Sequence, residues 1–156
     1  EKGNFEMDKE VREYWEDFCA EHGIEKDVPV EAWAFGIGGK QADYLAELVN
    51  RGKKTATTSA YEPYGLDGEE IPRPGEYNII LDGRGNPVCV TQTKVVEVIP
   101  FAQISAEHAW HEGEDDRSYE SWRKVHVEFL SEQLKQYRLE LTDDTPCVCE
   151  VFEKIG

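Results

Sequence analysis

The spacing of apolar residues changes along this chain, and that change constrains its fold more than any other feature. Val11, Tyr14, Trp15, Phe18 and Cys19 recur at i, i+3, i+4, i+7 and i+8, which predicts an amphipathic helix over residues 8–22, stopped by Gly23. Lys9, Glu10, Glu13, Glu16 and Asp17 supply its opposite face. Residues 30–35 read as a short strand, Gly36, Gly38 and Gly39 as a turn, and residues 41–50 as a second helix with Tyr44, Leu45, Leu48 and Val49 as its stripe. Gly52 suits the C-cap of that helix. Beyond it the pattern turns to strand, first in the Thr-rich residues 54–60 and then in a hairpin of residues 77–81 and 88–98 around Asp82-Gly83-Arg84-Gly85-Asn86. Residues 61–76 read as a long loop. The length and mixed faces of the 88–98 arm suggest a bent strand of a small barrel. A short helix capped by Ser105, a long helix over residues 118–137 with Trp122, Val125, Phe129, Leu130 and Leu134 as its stripe, and a strand over residues 146–155 complete the chain. Strands and helices interleave without regular βαβ alternation, so the expectation is an α+β fold around one core, a single domain over residues 1–156.

Charge narrows the function. Lys and Arg number 17 against 33 Asp and Glu, a net charge of −16. Such a protein does not coat duplex DNA by general phosphate neutralisation, and it meets nucleic acid only through a local basic site. The longest apolar runs, such as Ala32-Trp33-Ala34-Phe35, are too short to cross a bilayer, so no membrane partner is expected. No basic stretch followed by an apolar segment opens the sequence. The four cysteines, Cys19, Cys89, Cys147 and Cys149, lack C-x-x-C spacing and read as reduced core thiols of a cytoplasmic protein.

The most informative stretch is Arg51-Gly52-Lys53-Lys54-Thr55-Ala56-Thr57-Thr58-Ser59, which gathers three cations and four hydroxyls within an acidic chain. Fixed cations there localise an anion or activate a hydroxyl; alternatively they complement the C-terminal dipole of a solvated helix end. Gly36-Ile37-Gly38-Gly39-Lys40 is neither a dinucleotide fingerprint nor a P-loop, and serves as a strand-to-helix turn. His108 and Glu112 share one face of the short helix at i, i+4. A metal would need a third ligand, and none lies at a recognisable spacing, so no metal or cofactor is expected. His22 and His126 sit near apolar helix faces and read as structural. Trp33 and Trp110 read first as core, and either can stack a base where it is exposed in a groove. Lys53, Thr58, Ser59, His108 and Trp110 are the candidate ligand-binding residues.

Several segments together resemble the ASCH domain family: Phe35-Gly36, the helix from Ala42 to Val49, Gly52-Lys53-Lys54-Thr55-Ala56-Thr57-Thr58-Ser59, Pro72-Arg73-Pro74-Gly75, Val98-Ile99-Pro100-Phe101, Ala109-Trp110-His111-Glu112-Gly113-Glu114 and Trp122-Arg123-Lys124-Val125-His126. The resemblance spans about residues 33–152. It implies a PUA-like β-barrel with flanking helices and a cleft between them for RNA or a nucleoside. Smaller bacterial members look like amidohydrolases that remove the acetyl group of N4-acetylcytidine with a Lys, a Thr and a Glu. The family's Gly-basic-Lys-Thr-x-Thr segment falls on Lys54 and Thr57, and its His-Ala-x-x-Glu segment on Glu112. Other members look like RNA-binding modules or ribonucleases. In the amidohydrolase reading Thr57 supplies the hydroxyl. Lys54 accepts its proton if burial lowers the lysine pKa, or otherwise serves as a cationic oxyanion donor. Glu112 protonates the leaving amine or positions water. Three residues apart in a straight strand, Lys54 and Thr57 would face opposite sides. The reading therefore requires a bulge between them, or a strand that begins only after Lys54.

Overall fold

The structure, a computed structural model, describes residues 7–36 and 39–156. The Asp8 carboxylate accepts from the Val11 amide at 2.9 Å, starting α1 (Lys9–His22), which closes at Gly23. The strand expected at 30–35 is β1 (Val30–Ala34), and α2 (Gly39–Asn50) follows. β2 (Ala56–Ala60) starts two residues later than its Thr-rich segment suggests. The expected loop 61–76 contains a single helical turn, α3 (Glu62–Leu66), with Pro63 in its first turn. β3 (Tyr77–Leu81) and β4 (Pro87–Pro100) form the hairpin. Ser105 caps α4 (Ala106–Glu112), Ser118 caps α5 (Tyr119–Lys135), and β5 (Pro146–Lys154) ends the sheet.

The sheet order is β1-β3-β4-β5-β2, with β1 parallel to β3 and the other neighbours antiparallel. The register of β4 against β5 shifts between Thr93 and Val95, the extra residue that bends the long strand. The bend does not complete a barrel. The expected closed PUA-like barrel is instead an open five-stranded sheet with β1 and β2 as its edges. Helices take backbone donors that strand closure would use. Thr55 N–H donates to the His111 carbonyl at 2.7 Å, and Ala60 N–H to Gln133 Oε1 at 3.1 Å.

Successive strand residues point to opposite faces, which sorts the core. Ile79 and Val90 pack with Val11, Trp15 and Phe18 of α1. Ile80 and Cys89 turn the other way, onto Trp33, Phe35 and the Leu45, Leu48 and Val49 stripe of α2. Burying a Val, Leu or Phe side chain contributes about 1.5–3 kcal/mol, so these stripes fix both helices against the sheet. On α5 the buried residues are Trp122, His126, Leu130 and Leu134, spaced by four, and His126 takes a place the apolar pattern had assigned to Val125 and Phe129. All four cysteines are buried free thiols, and burial pushes Cys147 and Cys149 up to about 12 and Cys89 up to about 11. Among the described residues no helix is long and apolar enough to cross a membrane.

Candidate functional site

The site begins with a turn. At the end of α2, Gly52 adopts φ 75°, and the amides of Lys53 and Lys54 both donate to the Leu48 carbonyl, at 2.9 and 3.1 Å. The chain is thereby re-aimed before β2 begins at Ala56, so Lys54 lies outside strand alternation. That is the second of the two geometries the Lys54–Thr57 pairing requires. Across from it, α4 ends at Gly113 with φ 74°. A Cβ at Gly113 would lie 2.4 Å from the Lys53 carbonyl oxygen, so only glycine lets the end of α4 pack against this turn. The contact delivers Glu112, the last residue of α4, to Lys54.

The Glu112 carboxylate is 1% exposed and has five polar side chains around it, four of which donate to it. Lys54 Nζ stands 3.3 Å and His126 Nε2 3.2 Å from Oε1. Thr58 Oγ1 at 2.7 Å, Trp122 Nε1 at 2.6 Å and His108 Nε2 at 3.3 Å surround Oε2. The Thr58 proton goes to Glu112, so at 2.9 Å His108 Nε2–H is the donor to the Thr58 hydroxyl. Burial opposes ionisation of Glu112, but the charges of His126 and Lys54 outweigh it and hold the carboxyl well below the usual carboxylate range. His126 Nδ1 faces the Trp122 carbonyl at 2.8 Å while Nε2 faces Glu112, so both ring nitrogens meet acceptors, the pattern of an imidazolium. Burial works against that charge and the Glu112 carboxylate works for it, with the net effect raising His126 above its ordinary value.

Lys54 is 2% exposed, and its ammonium touches the Ala56 carbonyl at 3.0 Å, Glu114 Oε2 at 3.1 Å, Glu112 Oε1 at 3.3 Å and the Glu112 carbonyl at 3.4 Å. Three protons serve four acceptors. Burial alone would lower its pKa, but Glu112 and Glu114 overcome that and raise it. Lys54 is therefore a fixed cation and not a neutral base.

These groups form the floor of a cleft with about 980 Å³ of empty space, its open mouth included. Both sheet edges contribute, Trp33 from β1 and Thr57 and Ser59 from β2, so the opening lies where a barrel would have closed. Phe35, Tyr64 and Phe129 add apolar wall. Thr57 stands opposite Glu150 in the β2–β5 register, on the face of the strand away from Thr58 and its partner Cys149. Asp67, Glu69, Glu112, Glu114 and Glu150 line the cleft against the cations Lys54 and His126. This excess of carboxylates disfavours phosphate-bearing ligands.

The structure brings Lys54, Thr57, Thr58, Ser59 and Glu112 to one cleft. His108 lies behind it, bonded to Thr58 and beside Glu112. Lys53 and Trp110 do not line it. Lys53 contributes its carbonyl to Arg117 at 3.4 Å, and Trp110 is 50% exposed with the Arg117 guanidinium 3.3 Å from its ring centroid.

The ASCH domain family profile matches residues 31–156. The chain belongs to the ASCH domain family. The ASCH domain of Lactobacillus crispatus JV V101 shares its fold at a TM-score of 0.90 and 26% identity, covering 95% of each chain. A protein of Enterococcus faecalis V583 gives a TM-score of 0.87 at 33% identity, covering 96% of this chain and 90% of its own. No curated protein matches the sequence.

Four site residues of this ASCH domain escaped the sequence reading: His126, Trp122 and Glu114 around Glu112 and Lys54, and Glu150 on the opposite wall. A histidine inside the apolar stripe of α5 and a glutamate inside the Cys147–Phe152 run were the available signals. Glu112, Glu114 and His126 also present three ligand atoms within 4.8 Å of one another. The Lys54 ammonium sits 3.3 and 3.1 Å from those same carboxylates and already supplies their positive charge, so the donor set fits a lysine better than a metal ion.

Proposed function

We propose that this cleft binds a nucleoside and hydrolyses an N4-acylated cytidine or a similar small amide. The observation that carries the reading is the convergence of Lys54, Thr57 and Glu112 on one cleft. Water adds across the amide C–N bond, releasing the free amine and the carboxylic acid. The Lys54 cation offers charge to the carbonyl oxygen as it becomes an oxyanion. To do so it gives up one of four acceptors, and Glu114, at 17% exposure, is the one a ligand oxygen can replace. Thr57 offers a hydroxyl on the wall, as nucleophile or as a hydrogen-bond partner of the attacking water. Glu112, held by donors from Lys54, His126, Thr58 and Trp122 and kept ionised, positions Lys54 and transfers no proton to the leaving amine from this state. The carboxylates around the cleft favour an uncharged nucleoside over a nucleotide. Incubating the protein with N4-acetylcytidine and following cytidine release tests the reading. Release that disappears in Lys54→Ala supports it; release unchanged in that variant removes Lys54 from the reaction.

A second reading is favoured by the exposed Trp110–Arg117 stack outside the cleft: a non-catalytic RNA-binding module. It predicts RNA binding that weakens with salt as for a few phosphate contacts and falls further in Trp110→Ala. No binding at low salt removes it.

A further inference from the structure

The sheet carries a second polar system, separate from the Glu112 cluster. Trp33 Nε1–H donates to Asn78 Oδ1 at 2.9 Å, Asn78 Nδ2–H to Thr93 Oγ1 at 3.4 Å, and the Thr93 hydroxyl to Glu150 Oε1 at 2.7 Å. The four side chains come from β1, β3, β4 and β5, and all are buried, at 8, 1, 0 and 4% exposure. The polarity of the chain is fixed from its first member. An indole N–H can only donate, so Asn78 must present its oxygen to Trp33 and its amide hydrogens to Thr93. Thr93 then accepts from Asn78 and spends its one proton on Glu150. Every link ends in an acceptor, and the last acceptor lines the cleft.

Apolar residues would fill these positions without the cost of desolvating four polar groups. A relay that terminates at a ligand cavity has a use that packing does not explain. The two buried cleft carboxylates also differ in what remains available. Glu112 receives four donors on about four lone-pair sites, whereas Glu150 accepts from Thr93 and keeps acceptor capacity. Its neighbour across the β2–β5 ladder is Thr57, so it stands beside the wall where the proposed chemistry takes place.

We propose that Glu150, aimed by the Trp33–Asn78–Thr93 relay, is the specificity residue of the cleft: it accepts a hydrogen bond from a ligand N–H, and so selects heterocycles bearing an exocyclic amine or amide over those bearing a carbonyl oxygen there. The inference rests on the nucleoside reading above and adds to it the residue that reads the base. Glu and Asp carboxylates accept from the cytosine amino group in the same sense in the DNA major groove. Glu150 is placed here as a binding residue and has no assigned part in bond cleavage.

The test is calorimetric titration of cytidine and of uridine into the wild type and into Glu150→Gln. The amide keeps the acceptor that Thr93 needs and turns an N–H toward the cleft, so it preserves shape and reverses the bonding sense. The wild type is expected to bind cytidine on the order of ten- to a hundredfold more tightly than uridine, the range of a hydrogen bond to a charged group. Glu150→Gln is expected to lose that preference or invert it while melting at the wild-type temperature. A wild-type ratio retained in Glu150→Gln overturns the proposal and leaves the nucleoside reading intact. A wild type that binds neither nucleoside overturns that reading and this inference with it. If Glu150→Gln melts early, Thr93→Val serves instead: it removes the donor that orients Glu150 and keeps the carboxylate. A blunted cytidine preference there supports the relay, and an unchanged one overturns it.

Discussion

Replacing Glu112 by Gln tests the charged cluster at its centre. The side chain is 1% exposed, so water cannot substitute for what is lost. An amide keeps one acceptor oxygen and turns the other into a donor, and neither orientation fits. With nitrogen at the Oε2 position it faces Thr58 at 2.7 Å and the indole N–H of Trp122 at 2.6 Å, and the indole cannot reverse its role. With nitrogen at Oε1 it faces Lys54 at 3.3 Å and His126 at 3.2 Å, two cations left in a buried site. Removing one partner from a buried ion pair costs about 3–5 kcal/mol. Against a typical total of about 5–15 kcal/mol, that is a large share of the stability. Urea unfolding at neutral pH should therefore show Glu112→Gln less stable by about 3–5 kcal/mol. In the Glu112→Gln background, Lys54→Met should cost far less than in the wild type, because the lysine has already lost its main partner. A Glu112→Gln loss below about 1 kcal/mol, the range of a solvent-exposed pair, would refute the buried network.

The two threonines separate structure from chemistry: Thr58→Val, which deletes the bond to Glu112, should cost about 1.5–3 kcal/mol in urea unfolding. Thr57→Val should unfold within about 0.5 kcal/mol of the wild type yet abolish cytidine release. The raised His126 makes a stabilising contribution that is complete below the ordinary imidazole range and fades as pH rises through its folded value, so wild-type stability should fall above about pH 6.5, by at most about 1.4 kcal/mol per pH unit. Glu112 acts with the opposite sign, its contribution being present above the ordinary carboxylate range and lost as pH falls through its depressed value. In His126→Gln the alkaline slope should flatten, which a series of urea melts across pH reads directly. Gly113→Ala places a methyl group against the Lys53 carbonyl at a left-handed position, and should destabilise by about 1–2 kcal/mol or more while also lowering cytidine release, since the same contact aims Lys54.

The elements that carry a period were legible in the sequence. α1 lies within one residue of the 8–22 helix that the Val11–Cys19 spacing predicts, Ser105 caps the short helix as expected, and the long helix starts within one residue of its expected start. Failure to close the barrel was not legible, because it depends on Gln133 and His111 reaching the backbone of residues 55–60 from distant helices. At the candidate site, Lys54, Thr57 and Glu112 were singled out through the resemblance to ASCH family segments, whereas His126 and Glu150 were hidden inside apolar patterns. Periodicity says that such positions are buried, and only the fold says which buried carboxylate they meet or which cavity they line. Trp110 shows the reverse case: its apolar character suggested core, but it lies outside with Arg117 stacked on it. The charge state of Lys54 was left open by sequence, since burial and carboxylates push it in opposite directions and only the distances to Glu112 and Glu114 decide which wins.

The four tryptophans give four indole N–H signals, and two of them report on competing surfaces: Trp33 lines the cleft, and Trp110 lies outside it. Titrating N4-acetylcytidine into nitrogen-15-labelled protein, with Trp→Phe variants to assign the signals, tests the central claim directly. The account predicts that the Trp33 signal shifts and saturates while the Trp110 signal stays in place. A shift confined to Trp110, or no shift in either signal at ligand saturation, would contradict it.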